Sequence, residues 1–146
     1  ARHNELMRQN AGLITFYPGV PEALRSLRAA GLKLGVVTSQ IEGELATTRA
    51  ALGIEDVIDV WIHSDMVAHP KPAPDPVLLA LEMLGEAAGT AMMVGDSIYD
   101  LGAGKAAGVR TAAVTWGFTE LPVLLAAGPD LLLRDPAELA RLPWMA

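Results

Sequence analysis

The chain has 146 residues, of which 51% are hydrophobic, with no cysteine and a formal net charge of −6. That length predicts one folding domain, able to bury roughly two-thirds of its unfolded surface. The acidic balance argues against wholesale nucleic-acid binding, which needs basic patches, and the lack of cysteine excludes disulfides and thiolate zinc sites.

From the N-terminus, Ala1-Arg2-His3-Asn4-Glu5 lacks the apolar stretch of a signal peptide. No apolar run anywhere approaches the roughly 20 residues of a membrane helix. A soluble, cytoplasmic protein with no membrane partner is therefore expected. Residues 2–11 read as a helix that Gly12 stops, and residues 16–19 as a turn. Pro21 suits a first helical turn, and Leu24, Leu27 and Ala30 continue at helical spacing to Gly31. Residues 32–38 form a short apolar run, the pattern of a buried parallel strand, and a helix over 42–52 ends at Gly53. A second strand is expected over 57–62. The prolines at 70, 72, 74 and 76 forbid helix or central strand and predict a rigid loop. Asp75 is expected to cap a helix over 76–84. Strands follow over 91–94, 111–115 and 130–133, with a helix from Ser97 to before Gly108 and a last helix from Asp135-Pro136.

Strands alternating with helices predict an α/β fold with a parallel sheet. In such a sheet the carboxyl ends of the strands share one edge, where ligands bind. Thr38-Ser39, His63-Ser64-Asp65, Gly95-Asp96 and Trp116-Gly117 all fall at such ends.

Two of these ends, and the proline loop, carry chemistry. An apolar strand delivers Asp96 at its tip, and Asp100 follows in the first turn of the next helix. Two acids at a helix N-terminus suit a hard divalent cation, magnesium above all. The same residues would also serve as a helix cap and a solvated first-turn acid. Thr38 and Ser39 offer hydroxyls and free amides at a strand-to-helix turn, which suits a phosphate or an ordinary cap. Lys71 lies in the proline-stiffened loop, where rigidity suggests that its position matters.

Taken in order, these elements resemble the haloacid dehalogenase superfamily, especially its phosphoglycolate phosphatase-like branch. Tyr17-Pro18-Gly19-Val20-Pro21-Glu22-Ala23-Leu24 leading to Leu34-Gly35-Val36-Val37-Thr38-Ser39 is similar to the approach to the family's second motif. His69-Pro70-Lys71-Pro72 resembles the third motif and Val94-Gly95-Asp96-Ser97-Ile98-Tyr99-Asp100 the fourth; Gly104-Lys105-Ala106-Ala107-Gly108-Val109 and Val114-Thr115-Trp116-Gly117 also fit. The resemblance implies a three-layer, Rossmann-like core over residues 17–146, with residues 1–16 as a remnant of the cap. It implies Thr38 as the phosphate-binding hydroxyl, Lys71 as the lysine that steadies phosphate and nucleophile, Asp96 as a magnesium ligand and Asp100 as its support.

One departure stands out. The family's first strand carries Asp-x-Asp, whose first aspartate attacks phosphorus, and no Asp-x-Asp occurs in these 146 residues. The core is thus expected to lack its usual first, central strand and most of the cap. The flanking strands would then have open apolar edges, which favours a homodimer that completes the sheet. The expected activity is metal-dependent hydrolysis of a small phosphorylated substrate, a phosphomonoester or phosphodiester, with metal-activated water replacing the aspartate. His63 with Asp65, and His69, are candidate additional ligands, which would shift the preference toward zinc or manganese; His3 is the remaining histidine. The alternatives are an inactive fragment or half-enzyme whose nucleophile comes from a partner chain, and a phosphate-binding module without chemistry.

Overall fold

The computed structural model describes residues 19–141. The expected helix over 2–11 and the boundary between residues 16 and 17 lie outside them. The chain divides into two compact units, one holding described residues 19–65 and 136–141, the other Met66–Asp135.

In the first unit, helix α1 (Val20–Ala29) has a proline in its first turn, with Glu22 near its N-terminus and Arg28 in its last turn. Both charges complement the helix dipole. Ala23 and Leu27, four residues apart, are its buried positions. Strand β1 (Gly35–Val37) pairs in parallel with β2 (Val60–Ile62), Val36 opposite Trp61. Helix α2 (Glu42–Leu52) connects them and contributes Leu45 to a core with Ile54, Val57, Val60 and Ile62.

Asp59 ties this unit together. Its Oδ2 accepts from the Leu34 amide at 2.8 Å and from the Arg28 guanidinium. The Leu34 hydrogen bond first, and then Arg28, hold its carboxyl below the ordinary 3.8. Arg49 lies 4.7 Å from the centre of the Trp61 ring and 2.7 Å from the Glu55 carboxylate. The C-terminal segment Pro136–Arg141, where a last helix is expected, packs against α1 as a 3-10 helix.

The second unit contains α3 (Asp75–Leu84), β3 (Met92–Gly95), α4 (Ile98–Ala107), β4 (Arg110–Val114), α5 (Leu121–Ala126) and β5 (Leu131–Leu133). Its strands are parallel in the order β3-β4-β5, with Gly95 opposite Ala113 and Ala113 opposite Leu132. Val77 and Leu81 of α3 pack on Ala103 and Ala107 of α4, together with Val109. Leu101 of α4 and Leu124 of α5 bury Ala113. A Cβ on Gly104 would lie 2.8 Å from Met93 Cβ and Thr111 Cγ2, so glycine is what lets α4 cross its strands this closely. Asp130 starts β5: its Oδ2 accepts from the Thr111 amide at 2.8 Å, while its own amide donates to the Thr111 carbonyl at 2.9 Å.

The α/β class and parallel pairing agree with the sequence reading, although the strands form two sheets, β1-β2 and β3-β4-β5. Asp75 is the first residue of α3 and not its cap: Pro74 occupies the cap position, and the Asp75 carboxylate meets His69 Nδ1 at 3.0 Å instead. Helix α5 and the 3-10 turns Ser64–Met66 and Ala88–Thr90 were not expected, being too short to show a hydrophobic period. No helix among the described residues is long and apolar enough to cross a membrane.

Candidate active site

In the second unit, parallel pairing sets the carboxyl ends of β3, β4 and β5 along one edge. Asp96 follows β3 there. Ser97 then caps α4, its Oγ accepting from the Asp100 amide at 3.2 Å. The cap fixes the first turn of α4 and with it the Asp100 carboxylate, which is buried.

Asp100 Oδ1 is the partner of the Lys71 ammonium. The two side chains are 8% and 5% exposed, so this is a buried ion pair. Desolvating both charges is costly, and the pair is stable only because each neutralises the other. The proline loop holds the lysine side of it. Ala73 donates to the Pro70 carbonyl at 2.9 Å, the Lys71–Pro72 peptide is cis, and a Cβ on Gly102 of α4 would lie 3.0 Å from Pro72 Cβ.

The two carboxylates have different neighbours. A Cβ on Gly95 would lie 2.7 Å from Asp100 Cγ, and one on Gly117 would lie 2.7 Å from Asp96 Cγ. No hydrogen bond or ion pair from another described residue engages the Asp96 carboxylate. It is half-buried at the tip of β3. One such oxygen donor suits magnesium, which takes one or two carboxylates and fills its remaining positions with water and substrate phosphate. The residues present therefore fit that ion through Asp96, while Asp100 is engaged as the partner of Lys71. Among the described residues no three His, Cys, Asp or Glu side chains gather into a metal-holding cluster. His69 is exposed beside Asp75. His63 Nδ1 stands 3.8 Å from Asp65 Oδ2 in the other unit.

In the first unit, Thr38 follows β1 and is buried. Its amide donates to the Ile62 carbonyl at 2.9 Å, and its Oγ1 accepts from the Gln40 amide at 3.1 Å. The Thr38 amide is thus already engaged, against the expectation that it is free. With Oγ1 accepting, the Thr38 hydroxyl proton is left to donate elsewhere. Ser39 is half-buried beside it.

Gln40 was not singled out from the sequence. It is 0% exposed, its Nε2 donates to Thr48 Oγ1 at 3.0 Å, and its carbonyl accepts from the Ser64 amide at 2.9 Å. It therefore locks the β1–α2 turn to α2 and to the turn after β2. The only sequence signal for it was an amide side chain two residues beyond Thr38. The packing of Gly95 and Gly117 against carboxylates likewise had no local signal.

Four similarities, to one family and three known proteins, accord with this site. The description "Haloacid dehalogenase-like hydrolase" matches residues 1–114. The chain is 40% identical over 127 residues to pyrophosphatase PpaX of Bacillus velezensis, covering 87% of this chain and 59% of that protein. It is 36% identical over 126 residues to phosphoglycolate phosphatase of Aquifex aeolicus, covering 86% and 58%. Among solved structures, CbbY from Rhodobacter sphaeroides in complex with phosphate superposes with a TM-score of 0.74 at 33% identity, covering 84% of this chain and 55% of that one. The chain thus spans less than two-thirds of the length of each of these relatives. With a family match over most of its length, and the fold and motif residues that go with it, the chain belongs to the haloacid dehalogenase-like hydrolases.

Proposed function

We propose that this chain is a metal-dependent phosphoric ester hydrolase acting on a small phosphorylated substrate. The observation that carries the reading is the buried Lys71–Asp100 pair, in the unit whose parallel strand β3 leads into Asp96 and the helix bearing Asp100. An ammonium fixed in this way is a ready counter-charge for phosphate. The motif resemblance, and not the geometry, adds Thr38 and Ser39 as hydroxyl donors to phosphate. Asp96 holds the divalent ion, magnesium by family and manganese or zinc if histidine contributes. When bound, such an ion neutralises phosphoryl charge and lowers the pKa of water at the site.

These residues hold no Asp-x-Asp, and the proposed nucleophile is water activated by the ion. A second reading has the nucleophilic carboxylate supplied by a segment or partner chain beyond these residues. The relatives named as pyrophosphatase and phosphoglycolate phosphatase point to phosphoanhydrides and monoesters as first substrates to try. A cytoplasmic homodimer without nucleic-acid partners completes the proposal.

The test is hydrolysis of an aryl phosphomonoester and an aryl phosphodiester by metal-stripped protein, titrated with magnesium, manganese and zinc beside Asp96→Asn. Metal-dependent turnover that Asp96→Asn abolishes is the expected result. No turnover with any metal would overturn the water-nucleophile reading and leave the supplied-carboxylate one.

A further inference from the structure

The geometry points to Gly117 as a positioning residue for the Asp96 carboxylate, required for metal binding although it ligates nothing itself. The inference rests on the reading of Asp96 as the metal-holding acid.

Gly117 has no backbone reason to be glycine, since its φ is not among the positive ones. The reason is space. A Cβ there would collide with Asp96 Cβ and Oδ2 and would lie 2.7 Å from Cγ. Asp96 Cβ is bonded directly to the strand-end backbone, so it has no flexible arm with which to yield. The turn carrying Gly117 cannot readily retreat either. Thr115, two residues earlier, donates its amide to the Leu133 carbonyl at 3.0 Å and its hydroxyl to the Arg134 carbonyl at 3.4 Å. The backbone of Gly117 is therefore a wall against which the carboxylate rests. Adding one methyl group must push the carboxylate off its position or tear the turn from the end of β5.

Other glycines in the same unit separate this role from mere packing. Gly89 has open space around its would-be Cβ. Gly104 has none, but its neighbours are Met93 and Thr111, which are core residues and not acids of the site.

Magnesium and manganese binding to the 146-residue chain, followed by titration calorimetry, tests the idea without recourse to turnover. Asp96→Asn is expected to lose binding. Gly117→Ala is expected to weaken it about 10–100-fold, the range typical when a ligand's support is removed. Gly89→Ala should titrate like the parent, and Gly104→Ala should lower the melting temperature while its folded protein keeps its metal affinity. If Asp96→Asn loses binding and Gly117→Ala keeps it, the inference falls while the reading of Asp96 stands. If Asp96→Asn binds as the parent does, or the parent binds neither ion, that reading falls and takes the inference with it. Should Gly117→Ala fold too poorly to titrate, Asp96→Gly in the same chain removes the opposing Cβ and should restore its melting temperature. An equal loss of melting temperature with and without Asp96→Gly would overturn the contact.

Discussion

Among single residues, Lys71 and Asp100 carry the largest electrostatic stake, because both side chains are almost fully buried and each is a counter-charge to the other. Lys71→Met leaves the buried Asp100 carboxylate without its counter-charge, and should cost about 3–5 kcal/mol in urea-unfolding midpoints analysed at constant m. Adding Asp100→Leu to Lys71→Met should recover part of that cost, because the orphan carboxylate is then gone. Asp59 has the opposite character, lying at the surface with its carboxyl held below 3.8 by the Leu34 amide and Arg28. A folded-state pKa below the unfolded one gives stability that is fully present above pH 3.8 and is lost as pH falls through the folded value. Asp59→Asn should therefore flatten the acid limb of a stability–pH curve below about pH 4 and lower stability at neutral pH.

At the scale of elements, the start of α4 is where fold and site meet. Ser97 accepts from the Asp100 amide, so the same hydroxyl that caps the helix fixes the turn bearing the buried carboxylate. Ser97→Ala should cost about 1 kcal/mol by urea unfolding, while Ser97→Asp, which can also cap, should recover most of it. Asp130 does equivalent work for β5, holding the fully buried Thr111 amide at 2.8 Å. Asp130→Ala should leave that amide unsatisfied and cost about 1–3 kcal/mol in the same assay. The limits of α2 and α4 were readable in advance because helix and strand periods change over sharply at Gly53 and Gly108. Helix α5 was not, since six residues hold less than two turns of pattern.

At the scale of the whole molecule, β3 pairs with one strand only among the described residues, and its residues Met92, Met93 and Val94 are apolar. An apolar strand with one unpaired edge invites a second chain. We expect light scattering to give twice the 15.4 kDa chain mass at micromolar concentration, and a clean monomer would refute the homodimer. By itself the sequence determined the α/β class, the parallel strands and the candidate acids, lysine and hydroxyl, because hydrophobic period, proline and glycine act over a few neighbouring residues. It could not decide which of those groups meet. Lys71 finds Asp100 across 29 residues, Asp96 rests on Gly117, and Gln40 closes on Thr48, and each meeting is a matter of close packing between elements. Such contacts depend on how far a turn of chain can approach another, which no local pattern of residues encodes.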